Sequence, residues 1–197
     1  MMKKLETDIL VVGAGPAGYA AAFFAADHGK TVVLVEKDEL GGVCLNRGCI
    51  PSKALLNVAH TIDNVKESKG RGLSYSKPTI DIDQMRTWKD GIVQKLSSGI
   101  GSLAKARKVT VLKGRAYFEE STSCRVETES GQQVVHYEKA IIAVGSRPAM
   151  PSAFDLGNPR IMTSTEALDI QDIPKSLLIV GAGYIGMEMG TVYAALG

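Results

Sequence analysis

The sequence predicts an α/β fold, and three observations carry that prediction. Short, continuous apolar runs (Ile9 to Val12, Thr31 to Val35, Ala140 to Val144, Ser176 to Val180) are interleaved with helical stretches. That is the pattern of strands buried on both faces of a parallel sheet. The first run leads at once into Gly13-Ala14-Gly15-Pro16-Ala17-Gly18, and the last into Gly181-Ala182-Gly183-Tyr184-Ile185-Gly186. Between them, from Val109, the apolar period changes to two, as in short antiparallel strands.

Composition bounds the rest. At 197 residues the chain is long enough for one sizeable domain or slightly more. Its 45% apolar and 22% charged residues are ordinary for a soluble globular protein. The net charge of +2 comes from mixed acids and bases with no basic run and only 6% aromatics, so nucleic acid is not suggested as a partner. The stretch MMKKLETDIL carries acids where a signal peptide needs an apolar region. Three cysteines without an export signal predict a reducing compartment, the cytoplasm. Ile9 to Ala26 holds no charge over 18 residues, but Gly13, Gly15, Pro16 and Gly18 break it. A strand, a glycine turn and a buried helix explain it better than a membrane span.

Ile9 to Val12 is followed by GxGxxG, a helix to Asp27 with Gly29 as its stop, and a second strand ending at Glu36. The acid stands 18 residues after Gly18. Glycines permit a tight turn and close approach of a pyrophosphate, the helix start offers N–H groups, and the carboxylate takes ribose hydroxyls. The complete strand, turn, helix, strand and acid pattern predicts a Rossmann-like dinucleotide site. Residues 68–78 read as a loop, and Asp81 or Asp83 caps a helix to about Arg107. Ile82, Met85, Ile92, Val93, Leu96, Ile100 and Leu103 form its packing face, with Trp88 in core or interface. Val109 to Phe118, Ser123 to Glu129 and Gln132 to Tyr137 read as a small meander, and Ala140 to Val144 as a separate buried strand before Gly145. Residues 149–175, with Pro151, Pro159 and Pro174, read as a connector. The second GxGxxG overlays the first at a constant offset of 168, so residues 176–197 read as the first strand-helix unit of a second nucleotide domain.

The remaining feature is GGVCLNRGCIPSK, residues 41–53. Four residues separate Cys44 from Cys49, and Cys124, His28, His60 and His136 are scattered, so no second pair completes a zinc site. A disulfide across so short a loop removes little unfolded-chain entropy and is a poor structural staple. Pro51 and Ser52 open a helical pattern, and a helix N-terminus favours thiolate over thiol. The pair reads as a two-electron dithiol/disulfide couple beside a cofactor.

GGVCLNRGCIPSKALL, followed by AIIAVGSRP and GAGYIGMEMG, resembles the flavin-dependent pyridine nucleotide-disulfide oxidoreductases over the whole chain. Within that family it is most similar to the branch that reoxidises dihydrolipoamide carried on a lipoyl domain. The resemblance implies an FAD-binding domain over residues 1–148 (incomplete, with the redox disulfide), a connector over 149–175 and the start of an NAD-binding domain over 176–197. Electrons would pass between dihydrolipoamide, the Cys44–Cys49 disulfide, FAD and NAD.

By the same resemblance Cys44 is the interchange thiol and Cys49 the charge-transfer thiol. Gly13, Gly15, Gly18, Glu36, Lys37, Gly42, Val43, Lys53, Ala116 and Gly145 contact FAD. Gly181, Gly183, Tyr184 and Gly186 belong to the NAD site, with Tyr184 over the nicotinamide pocket and Glu188 paired with a catalytic Lys53. Gly186 as third glycine favours NAD over NADP. Val144 stands where many relatives have Thr, and Arg47 where Val is frequent. The family is homodimeric, and its His–Glu base comes from the partner's C-terminal domain. His28, His60 and His136 match no such base, so the chain reads as a fragment that is a poor catalyst alone. Other readings are the branches that reduce glutathione or mercuric ion, and an inert FAD-binding fragment.

Overall fold

The computed structural model describes residues 3–197. Met1 and Met2, which open the charged N-terminal stretch, lie outside the described residues. The chain divides into two compact units, one of residues 3–46 with 94–146, the other of residues 47–93 with 147–197.

The first unit is built on five strands: β1 (Lys3–Val12), β2 (Val32–Glu36), β3 (Thr110–Glu120), β4 (Ser123–Thr128) and β5 (Gly131–Ile142). They close into a barrel in the order β1-β2-β3-β4-β5. β1 runs parallel to β2 and β5, and β2 parallel to β3, while β4 is antiparallel to β3 and β5. The parallel layer and the meander expected from the sequence are therefore one sheet.

A correction concerns β5, which joins the two separate strands expected around 132–137 and 140–144. Glu138 and Lys139 suggest a break, yet both sit exposed within a strand paired to β1 as far as Ile142. The end of β5 is not buried as expected, for Ile142 is 66% exposed. β1 explains why a continuous apolar run was needed. Leu10 and Val12 face the barrel interior with Val33, Val35, Leu112, Val126 and Val135. Val11 faces the other way, with Ala14, Ala22, Leu34 and Ala104. Helix α1 (Pro16–Asp27) lies on that outer side, with Pro at its start and Gly29 at φ 79 after its end.

Helix α2 (Gly42–Arg47) is a short element that the sequence reading missed. The second unit follows with α3 (Cys49–Ser68), the start of α4 (Ile82–Ala106), α5 (Ser164–Ala167) and α6 (Tyr184–Leu196). Leu55, Ala59 and Ile62 form the buried stripe of α3 and pack with Met85, Leu168, Ile170, Met189, Val192, Tyr193 and Leu196. Leu55 is fully buried, which stabilises by about 1.5–3 kcal/mol relative to exposure. Asp81 caps α4 as expected, accepting the Gln84 N–H at 2.9 Å. Of the expected packing face, Met85 and Ile100 are buried while Leu96 and Leu103 are exposed; Trp88, expected in core or interface, is exposed and not a core residue. Within residues 149–175, expected as a connector, the one-turn α5 is secured by a Thr163/Glu166 capping box.

The strand expected at Ser176–Val180 does not form. A parallel strand exists only in a ladder with neighbours, and no described strand pairs with these residues. Leu178 is 87% exposed and Val180 67%. The second fingerprint thus has its glycine turn and helix without its strand. Among the described residues no helix is long and apolar enough to cross a membrane.

Candidate functional site

The first unit places Gly13, Gly15 and Gly18 in the turn after β1, beside the end of β2. Gly13 adopts φ 97 and donates its N–H to Val35 O at 2.8 Å, and Ala143 donates to Val12 O at 2.8 Å. A Cβ on Gly18 would stand 1.7 Å from the Gly13 carbonyl oxygen, so only glycine lets α1 lie this close to the turn. Gly15 caps α1 with no side chain bonded to the first-turn N–H groups. Glu36 ends β2 and bends over the turn, its Oε2 accepting the Ala14 N–H at 2.7 Å and its Oε1 the Asp38 N–H at 2.9 Å. An open helix start for an anion and a carboxylate at the strand end fit the pyrophosphate and ribose of a dinucleotide.

Gly42 joins this group, its Cβ position only 2.6 Å from Gly15 Cα. The loop behind it is pinned by residues the sequence reading did not select. Asn46 donates to Leu40 O at 3.1 Å and Gly42 O at 2.9 Å, and Ser97 to Leu40 O at 2.9 Å. Both are polar residues on helices, where sequence pattern alone reads a solvated face. Lys37 is exposed on the bend after β2, and Val43 is exposed on α2. Ala116 lies half-buried on β3 opposite Val126, and Gly145 is exposed after β5 at φ 67. Gly13, Gly15, Gly18, Glu36 and Gly42 are thus brought together around one turn, while Lys37, Val43, Ala116 and Gly145 are placed elsewhere in the first unit.

Cys44 is half-buried on α2, and Cys49 is exposed as the first residue of α3. Gly48 separates the two helices at φ −152, ψ −118, and no side-chain cap occupies the start of α3. Cys124 is fully buried inside the barrel, and burial pushes its thiol above the usual range. Among the described residues, no group of three or more His, Cys, Asp and Glu is arranged to hold a metal ion.

In the second unit, Lys53 of α3 and Glu188 of α6 form an ion pair through Nζ and Oε1. Ser52 donates its hydroxyl to the other oxygen of Glu188, a contact not foreseen from sequence. Lys53 first, then Ser52, holds the Glu188 carboxyl below its ordinary value. The pair is partly exposed, with 61% of the Lys53 side chain and 22% of the Glu188 side chain in solvent. Gly181 adopts φ 105 and Gly183 caps α6 without a side-chain bond, so this helix start is also open. Gly186 lies close under the turn, its Cβ position 2.7 Å from Gly181 O, and Tyr184 is 77% exposed.

The described residues thus present two glycine-capped helices, a carboxylate at a strand end and a spaced cysteine pair at a helix start. The chain belongs to the pyridine nucleotide-disulphide oxidoreductase family, whose model matches residues 7–197. It is 49% identical over 199 residues to a dihydrolipoyl dehydrogenase of Haemophilus influenzae, covering 100% of this chain and 42% of that protein. Against a dihydrolipoyl dehydrogenase of Bacillus subtilis it is 49% identical over 193 residues, covering 98% of this chain and 41% of the other. It also resembles the solved Cu(II) complex of a cysteine-variant HOCl-induced flavoprotein disulfide reductase, RclA, from Escherichia coli. That likeness has a TM-score of 0.82 at 28% identity, over 100% of this chain and 41% of that one. The chain spans about two fifths of the length of the curated relatives it matches.

Proposed function

We propose that the chain is the N-terminal part of a flavoprotein disulfide oxidoreductase that oxidises dihydrolipoamide on a lipoyl carrier domain, with FAD and NAD as cofactors. The observation that carries the reading is the Cys44–Cys49 pair, with Cys49 opening α3. The identity of 49% to dihydrolipoyl dehydrogenases supports it. Residues 1–148 are assigned to the FAD domain, 149–175 to a connector and 176–197 to the NAD domain. A cytoplasmic, homodimeric whole protein fits this assignment.

In this reading the α1 N–H groups and Gly13, Gly15 and Gly18 receive the FAD pyrophosphate, and Glu36 exchanges its backbone partners for ribose hydroxyls. The α6 start, with Gly181, Gly183 and Gly186, receives NAD. Bound FAD would supply two-electron transfer between the thiol pair and NAD. A thiolate of dihydrolipoamide attacks Cys44 of the oxidised pair, breaking the S–S bond and releasing Cys49 as thiolate. The second dihydrolipoamide thiol displaces Cys44, so lipoamide leaves as a disulfide and the protein as a dithiol, with two protons and two electrons transferred.

The test is NADH-dependent lipoamide reduction by the whole FAD-loaded protein, with Cys44→Ser and Cys49→Ser variants. Both variants should lose the activity, and retention by either would exclude this chemistry. Oxidised glutathione in the same assay separates the substrate branches. The chain expressed by itself is expected to bind FAD weakly and to give activity at background.

A further inference from the structure

Glu188 reaches from α6 to the first turns of α3 and divides its two oxygens between consecutive residues, Oε1 to Lys53 and Oε2 to Ser52. The partners are unequal. Lys53 lies at the surface on a flexible four-carbon stem, and holding it in one geometry costs side-chain entropy. Ser52 is 6% exposed, with one side-chain torsion to fix and little water to compete for its hydroxyl. Helical side chains lean toward the helix N-terminus, which carries the carboxylate toward the start of α3. That helix has no acid in its own first turn, so a carboxylate brought there from α6 meets a favourable dipole.

We infer that Ser52 is a positioning residue, anchoring one oxygen of Glu188 so that the other faces Lys53. The depressed Glu188 ionisation, with Lys53 as the charge that bears on it and Ser52 as the second contributor, agrees with this division. The inference deepens the proposed function, on which only its relevance to catalysis rests.

The experiment is an isotope-edited NMR titration of the Glu188 carboxyl in the chain. Wild type should titrate below the ordinary glutamate value, Ser52→Ala should move it upward, and Ser52→Thr should restore it. In Lys53→Met, at an exposed position, Glu188 should still titrate below the ordinary value because Ser52 is intact. An unchanged titration in a Ser52→Ala chain with native circular dichroism would overturn the inference. So would an ordinary value in Lys53→Met, which decides the matter if Ser52→Ala does not fold. Neither measurement involves FAD, so failure here is distinguishable from failure of the redox reading.

Discussion

Glu188 on α6 pairs with Lys53 on α3, 135 residues away in the chain. The first expectation is that this pair contributes little to stability, because more than half of the lysine side chain is in water. Lys53→Ala should cost about 1 kcal/mol or less, as exposed ion pairs do, rather than the several kcal/mol of a buried pair. Urea denaturation at neutral pH measures it, and a loss several-fold larger would mean that the pair is desolvated in solution.

The pH dependence has a definite sign. Glu188 is easier to ionise in the folded chain than at its ordinary 4.5. The stability it brings is present above that value and is lost as pH falls through the lowered folded value. Glu188→Gln should therefore flatten the acid limb of the stability curve and leave its alkaline limb unchanged. Parallel acid limbs in wild type and variant would contradict this.

The fingerprint glycines should separate into structural and binding roles. Gly18→Ala drives a methyl group into the Gly13 carbonyl and should cost about 1–3 kcal/mol or more. Gly15 has an ordinary φ of −70, and a Cβ there meets only Gly42 Cα at 3.8 Å. Gly15→Ala should leave the melting temperature nearly unchanged while weakening FAD binding, read by flavin fluorescence. Equal effects of the two variants on folding would remove the distinction.

Packing of α3 against α6 centres on Leu55. Leu55→Ala should destabilise by about 2–5 kcal/mol, seen as a lowered urea midpoint. A loss near zero would indicate that the second unit does not pack this way in solution.

Much of this architecture was legible in the sequence because its signals are local. The apolar run of β1, the glycines after it and the Asp81 cap each depend on neighbours in the chain. Most of what failed depends on distant partners. Ser176–Val180 has strand-like residues but no ladder to join. β5 runs through Glu138 and Lys139 because β1 pairs along its length. α2 is six residues opened by glycine, too short to show a period. Within the site, Glu36 follows from spacing, whereas Lys53 and Glu188 were linked only through family resemblance. Ser52 was read only as part of a helix start, because nothing local to it shows a partner until the acid from α6 is in place.

The cysteines offer the most direct measurement. Cys124 is fully buried with its ionisation pushed up, so alkylation of the reduced native chain should label Cys44 and Cys49 and reach Cys124 only on unfolding. The central claim is that Cys44 and Cys49 are one two-electron couple, which requires their Cα atoms to come within about 7 Å. Mild oxidation followed by peptide mapping should therefore find a single intramolecular Cys44–Cys49 disulfide, reversible by dithiothreitol, with Cys124 still a thiol. Cys44 and Cys49 both remaining alkylatable after oxidation, or joining only between chains, would contradict the account.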